Sequence, residues 1–432
     1  MMKSYKRSSK RLLPQFTRSR LESQRYSNIK LSVITQFFPP DFAATGQLIE
    51  ELVRQLGSVG VDVNVFTGQP GYAFQSNEAP AIEKLKGVIV KRSRASQLWP
   101  KRVRGKAMNG VLFMIRAALH VLRNYRRRNV LMVTTAPPFL PFLGYLAHLC
   151  TGMSYICLLY DLYPDIAIAL GVIPENHWLG KIWQNLNIRV WRRSKEIIVL
   201  SSSMKQRIAS ICPEVEDKIN VIHSWANPDA IVPIPKKENW FAWKHNLVDK
   251  FTVLYSGNMG RCHDMDTIIA AAKELKDEPI QFVFIGGGAK RKEVVQEAER
   301  FELTNFVFLP YQDKDVLPYS LTACDVSLVS VDVGMESLVA PSKLYPALAA
   351  GRPVAVICSK DSYLKELITD ARCGSSFENG DGHGLAEFIR LLSSDRQLAE
   401  RMGQEGREYL QANFTPEVIS KEYLRVLRRG IE

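Results

Sequence analysis

Three stretches of the sequence carry residue types that can hold an anion. In LYSGNMGRCHDMDTII, Gly257, Asn258 and Gly260 follow an apolar run, with Arg261 and His263 ahead of a helix expected from about Asp266. Two glycines in so tight a loop expose backbone N–H groups and the helix end adds partial positive charge, so Arg261 and His263 could complete a phosphate cradle. Glycine-rich turns are also common in purely structural roles. In QFVFIGGGAKRKEVV, Gly286, Gly287 and Gly288 follow a strand, and Lys290, Arg291 and Lys292 open a helix. Cations there oppose the helix dipole unless an anion sits among them. The spacing is not G-x-G-x-x-G, so a nicotinamide reading loses its main support. In APSKLYPALAAGRPVAVI, Ser342 suits an N-cap, Lys343 follows at the first position of a helix over 344–350, and Gly351 stops it. A lysine there is usually solvated, but it also suits a donor phosphate.

These loops belong to a repeated rhythm. Apolar runs of four to eight residues, each followed by a Gly/Pro/polar loop and a helical pattern, occur at 31–37, 61–68, 87–93, 129–135, 154–160, 196–202 and 219–225. They resume at 251–257, 280–287, 305–311, 326–332 and 352–358. That is the pattern of parallel βαβ units, and ligands of such sheets bind beyond the carboxyl ends of the strands. The sequence therefore predicts an α/β protein with two doubly wound domains. An N-terminal domain covers 31–225, a Pro-rich linker 226–240, a C-terminal domain 241–414 and a terminal amphipathic helix 415–432, all preceded by a flexible basic arm, 1–30. In the first βα loop, QFFPPDFAATGQLIEEL, Gly46 near the helix start would let backbone approach a ligand. A plain βα turn fits the spacing equally well.

At 432 residues, 46% hydrophobic and 23% charged, the chain has an ordinary globular composition, which excludes disordered and fibrous classes. Seven scattered cysteines with no C-x-x-C pair argue against a disulfide framework or structural metal, and fit a reducing cytoplasm. The net charge of +13 is concentrated: residues 1–30 hold nine Lys/Arg and one Glu, and residues 91–128 hold twelve Lys/Arg and no acid. Such stretches attract lipid headgroups, pyrophosphates or nucleic acid, or are simply solvated faces. Nucleic acid is the weakest of these, because no recognition module is present. Residues 139–160 are apolar enough to suggest a membrane span, but Thr151-Gly152 divides them into a helix and a buried strand. Within 91–128, Met108, Val111, Leu112, Ile115, Leu119 and Leu122 lie on one side of a helix beside Arg116, Arg123 and Arg126 to Arg128. That side either packs on its own sheet or lies in a bilayer interface.

The segments QFFPPDFAATG, TTAPP, LLYDLYPDIAIALGV, HSWANP, YSGNMGRCHDMDTI, FLPY and PSKLYPALAAGRPV, in this order, resemble glycosyltransferase family 4 with the GT-B fold. Within it they are similar to the WbuB-like enzymes of bacterial exopolysaccharide and colanic acid synthesis. The resemblance runs from about residue 31 to the end. It implies two Rossmann-like domains facing across a cleft, the acceptor on the first and a nucleoside diphosphate sugar on the second. By position, Gly46, Gly257, Asn258 and Gly260 would face the donor diphosphate, with Arg261 and Lys343 as cationic partners. His263, Gly287, Lys290, Ser342 and Leu344 join the expected donor site, and the strand ending in Pro310 and Tyr311 would contact the base. Asp161 and Asp165 are the carboxylates for orienting or deprotonating the acceptor hydroxyl, although a carboxylate at a strand end can also cap a helix.

The pattern also departs from the family. The Glu-x7-Glu pair of many members would fall at Leu338 and Pro346, so both are absent; Glu336, two residues away, is the substitute expected to contact the donor sugar. The Asp-x-Asp pairs Asp264/Asp266 and Asp313/Asp315 read as helix caps, and no metal or other cofactor is expected. The implied function is a hexosyltransferase-type enzyme, retaining and metal-independent, passing sugar to a lipid-linked saccharide. It would be cytoplasmic and peripheral on the inner face of the plasma membrane, on an anionic membrane surface. A catalytically degenerate scaffold and a sugar-nucleotide epimerase are the alternatives.

Overall fold

The computed structural model describes residues 26, 28–41, 43–70, 79–93, 103–124 and 129–431. The side chains of 103–107 are outside the description, and so are most of the N-terminal arm and Arg126 to Arg128. Among the described residues fourteen strands form two sheets. The first orders its eight strands β3-β4-β2-β1-β5-β6-β7-β8, and the second orders six as β11-β10-β9-β12-β13-β14. The strands of the first are β1 (Lys30–Ile34), β2 (Asp62–Thr67), β3 (Ile82–Leu85), β4 (Val88–Arg92), β5 (Asn129–Thr134), β6 (Tyr155–Leu159), β7 (Glu196–Val199) and β8 (Ile219–Val221). Those of the second are β9 (Phe251–Ser256), β10 (Ile280–Ile285), β11 (Phe306–Leu309), β12 (Val326–Ser330), β13 (Val354–Ile357) and β14 (Gly374–Phe377). All pairings are parallel except β3 with β4. The central strands are buried along their whole length, as in YICLL of β6 and IQFVFI of β10, because helices cover both faces.

All twelve apolar runs form strands. β3 and β14 were not legible, because both are short edge strands whose polar residues break the apolar signal, as in IEKL and GSSF. The apolar stretch at 139–160 divides as the glycine implied: the helix Leu140–Thr151 ends on Gly152 at φ 70°, a left-handed cap, and β6 follows. No helix among the described residues is long and apolar enough to cross a membrane. The helix Val103–Arg123 turns Phe113, Ala117 and Val121 to the sheet and leaves Met108, Val111, Ile115, Leu119 and Leu122 exposed. These five residues are therefore not the side that packs on the sheet.

The chain passes between the two halves twice, at Ala226 and at Phe414, where the Ala226 N–H donates to the Phe414 carbonyl (3.2 Å). The terminal helix Pro416–Ile431 then lies on the first half, with Tyr423 edge-on to Trp225, Arg429 bonded to Asn220, and Gly430 against Ile156 and Val130. Most of the expected linker belongs to the second half. Arg407 donates to the carbonyls of Pro228 (2.8 Å) and Ile231 (2.7 Å), Arg352 donates to Ile234 (2.9 Å), and Lys236 is ion-paired to Asp325 (2.8 Å). Any hinge is thereby narrowed to the two adjoining crossings.

Candidate active site

The carboxyl ends of both sheets face one cleft of about 2170 Å³. Its walls come from the loops after β1, β5 and β6 on one side and after β9, β11 and β12 on the other. A single small ligand fills roughly 300–1,000 Å³, so the space suits two substrates.

The wall on the second sheet is built by glycine turns. Gly257, at φ 125°, bends the chain out of β9, and Gly286, at φ 131°, leaves β10 beside it. A Cβ on Gly286 would lie 2.2 Å from the Gly257 carbonyl oxygen, so the two turns can nest only because Gly286 lacks a side chain. Lys343 rises from the start of the helix Leu344–Ala349. Its ammonium donates to the Tyr255 hydroxyl and, at 3.3 Å, to the Asn258 carbonyl, and it has no carboxylate partner among the described residues. Burial lowers its pKa to about 7. Ser342 lines the cleft beside it without capping the helix.

His263 is fixed by Nδ1, which donates to the Ser330 carbonyl (2.8 Å). Burial, with Lys343 as the next contribution, pushes its pKa down to about 3. The ring is neutral at pH 7 and leaves Nε2 as an acceptor, so it is not the cationic arm of a phosphate cradle. Arg261 lies exposed in the cleft wall with no ion-pair partner among the described residues. Gly260, Asn258 and Tyr311 line the cleft as well.

The wall on the first sheet centres on Asp161, at the end of β6. Its backbone forms an isolated bridge to Val339 of the other half, and Leu162 N–H donates to Leu338 O (3.1 Å). Burial raises the Asp161 carboxyl to about 6, and no cation pairs with it among the described residues. Three rings brace the loop: Trp183 stacks on Phe139 (4.1 Å) and on Tyr163 (5.7 Å), and Asn187 donates to the Tyr163 carbonyl (2.5 Å).

Several expected residues are placed elsewhere. Asp165 opens the helix Asp165–Ala169 and is bound by Arg207, outside the cleft lining. Glu336 accepts from the Ser359 N–H (3.3 Å), also outside it. Lys290 is consumed by Asp332 (2.9 Å) and the His263 carbonyl (2.7 Å), which is why it supports the loop from behind. Gly46 is buried where an added Cβ would stand 3.0 Å from Phe37 backbone, so it serves close helix packing. Gly287 sits under the Tyr311 ring, and Pro310 and Leu344 are outside the lining, Leu344 being fully buried. Asp264 caps as expected, accepting from Thr267 N–H (3.0 Å), whereas Asp313 makes no side-chain cap. Among the described residues one exposed trio, Glu274, His383 and Glu387, has metal-ligand spacing, but Arg390 already pairs with both glutamates. Sequence reasoning missed Tyr255 and Asp332. The hydroxyl of Tyr255 near the carboxyl end of a buried strand was the available signal, whereas nothing in sequence marked Asp332.

Comparison with known proteins agrees with this geometry. Residues 45–230 match the family model for Glycosyltransferase Family 4, and residues 236–409 match that for Glycosyl transferases group 1. WbjE of Pseudomonas aeruginosa, a probable glycosyltransferase, is 26% identical over 312 residues, which is 70% of this chain and 75% of WbjE. WcaI of Escherichia coli K12, named for glycosyl transfer in colanic acid biosynthesis, is 34% identical over 184 residues, 42% of this chain and 44% of WcaI. Among solved structures, sucrose-phosphate synthase from Thermosynechococcus elongatus superposes with a TM-score of 0.73 at 16% identity, covering 93% of this chain and 98% of that one. HepE from Anabaena, solved with UDP-glucose, does so with a TM-score of 0.69 at 13% identity, covering 93% and 99%. With two adjoining family models matched from residue 45 to 409 and the two-sheet architecture shared, this chain belongs to the family 4 glycosyltransferases and has the GT-B fold.

Proposed function

We propose that the enzyme moves a sugar from a nucleoside diphosphate sugar, held by the second half, to a hydroxyl of a lipid-linked saccharide presented by the first. One observation carries this reading: Lys343, with no carboxylate partner among the described residues, and Asp161, with no cation among them, line the same cleft from opposite sides. The Gly257 turn, Arg261 and Lys343 meet the diphosphate. As the bond from the anomeric carbon to the phosphate oxygen breaks, negative charge grows on the leaving group, and fixed donors there lower the barrier. The acceptor oxygen bonds to the anomeric carbon from the face that the diphosphate leaves, and its proton passes to Asp161. Neutral His263 offers Nε2 to a donor-sugar hydroxyl. Retention of the anomeric configuration follows the family resemblance, and no step in this scheme assigns work to a metal. Closure about Ala226 and Phe414 excludes water, the competing nucleophile. The relatives' part in bacterial polysaccharide synthesis, and the UDP-glucose of HepE, support this class of donor and acceptor.

The test is a thermal-shift panel of UDP, GDP, ADP and their sugars on wild type and Lys343→Ala. A shift with one nucleotide that weakens in the variant supports the reading. Equal shifts remove Lys343 from the phosphate site, and no shift with any nucleotide favours a scaffold without catalysis.

A further inference from the structure

Three neighbouring helices cover one face of the first sheet: Val103–Arg123, Leu140–Thr151 and Trp178–Arg193, the middle one packed against both others. Their outward surface is unusual in two independent respects. It is apolar: Leu119 and Leu122 of the first helix, Leu146 and Leu149 of the second, and Trp178 and Ile182 of the third are between 41% and 62% exposed. On the first helix the exposed large residues at 108, 111, 115, 119 and 122 follow a three-four spacing, so a single stripe faces outward while the opposite stripe is spent on the sheet. It is also free of acids: over their 21, 12 and 16 residues the three helices contain no Asp or Glu, and Arg123, Lys181 and Arg193 are exposed. Scattered exposed leucines need no explanation, but a contiguous apolar surface of this kind marks an interaction site.

We propose that this three-helix layer is the surface by which the protein docks on an anionic phospholipid bilayer. Charge decides between a bilayer and a second copy of the chain. A two-fold pairing of this face with itself would set basic residues against basic residues with no carboxylate from any of the three helices to answer them. An anionic interface answers them and accepts the apolar stripe between its headgroups. Glu214, which pairs with Arg192 of the layer, comes from the turn Pro213–Lys218 beside its far end. The face also meets the cleft. Val111 and Ile115 of the first helix and Phe139, just before the second, are exposed on the face and line the cleft, and Phe139 continues through Trp183 to Tyr163 beside Asp161. A lipid-anchored saccharide would thus reach Asp161 along the docking edge without leaving the bilayer. This last step rests on the proposed function; the docking itself does not.

The experiment is flotation of the full chain with phosphatidylcholine vesicles and with vesicles containing 40% (a chosen composition of about two parts in five) phosphatidylglycerol, for wild type and the double variant Leu119→Glu/Leu149→Glu. Both positions are exposed and outside the cleft lining, so melting temperature and nucleotide-induced shift serve as folding controls. The expected result is flotation with the anionic vesicles, weakened by salt, and at least about tenfold weaker partitioning of the variant with both controls unchanged. Undiminished flotation of the variant overturns the proposal, and so does a wild type that stays with neither vesicle. If that wild type is a dimer which the variant dissociates, the face belongs to a second copy. Flotation lost in the variant by a wild type that shifts with no nucleotide keeps the docking surface and removes the donor reading.

Discussion

The two walls of the cleft solve opposite problems with different materials. The wall on the second sheet is made of nested glycine turns and a lysine held by a hydroxyl and a carbonyl, so it fixes backbone donors and an amine poised to take up a proton in place before any ligand arrives. The wall on the first sheet is largely apolar and aromatic around the desolvated carboxyl of Asp161, with Asp41 and Glu51 elsewhere in the same lining. Backbone geometry suits a ligand whose anionic part is constant; a side-chain surface suits one that is chosen by shape. The comparison breaks most directly at Asp161. Asp161→Asn should lower transfer by roughly 10²–10⁴-fold, the usual contribution of a positioned acid or base, while leaving the nucleotide-induced thermal shift intact. Loss of both together would show that the walls are not separable.

Gly286→Ala attacks the other wall. The new Cβ would press on the Gly257 carbonyl from a backbone angle that L-residues rarely adopt. The expected destabilisation is about 1–3 kcal/mol. Nucleotide binding should fall by more than the melting temperature alone implies, since the displaced turn is the donor surface. A variant that melts early but binds nucleotide normally would separate the Gly286 turn from the site.

The difference between the walls also explains what could be read from sequence. The parallel strands were legible because double-sided burial writes itself as runs such as SYICLLY and IQFVFIGG, and Gly257, Arg261 and Lys343 were legible because strand ends fix where loops emerge. Pairing was not. Nothing in sequence shows that Lys290 meets Asp332, that Asp165 meets Arg207 or that Glu336 turns to Ser359, since each partner comes from a distant part of the chain. Burial was equally hidden, and it turns His263 from a cation into a neutral acceptor. The absence of acids from 91–128 was visible at once, but only the fold shows that two further acid-free helices lie beside that segment.

Protonation gives a sharper contrast, because burial acts on the two walls in opposite directions. Asp161 titrates near 6, above the ~3.9 of an unfolded aspartate, so its contribution to stability is full below the unfolded value and is lost as pH rises through about 6. Lys343 titrates near 7, below the ~10.4 of an unfolded lysine, so its contribution is present above the unfolded value and lost as pH falls through about 7. A bound diphosphate restores the ammonium. Calorimetry at pH 8 in buffers of different ionisation enthalpy should therefore show uptake approaching about one proton per nucleotide, abolished in Lys343→Ala. Transfer should decline below pH 6 as Asp161 protonates. Binding without proton uptake would mean that the lysine is already charged in the empty cleft.

The smallest expected effect concerns a side-chain ion pair between the walls. Lys314, on the loop after β11, stands 4.0 Å from Glu50 of the helix Ala44–Ser58, and the next residue of that helix, Glu51, accepts from Trp225 Nε1 (3.0 Å). The lysine is more than half exposed, so solvent screens the pair and its worth is about 0–1 kcal/mol. If it biases the two halves toward closure, Lys314→Ala should raise the KM for donor by at most about fivefold and leave kcat nearly unchanged, with the difference fading as salt is raised. A drop in kcat instead would place Lys314 on the charge that develops during transfer. The second sheet would then supply cations to the reaction from two separate loops, and the division of labour between the walls would be redrawn at Lys314 and Lys343 together.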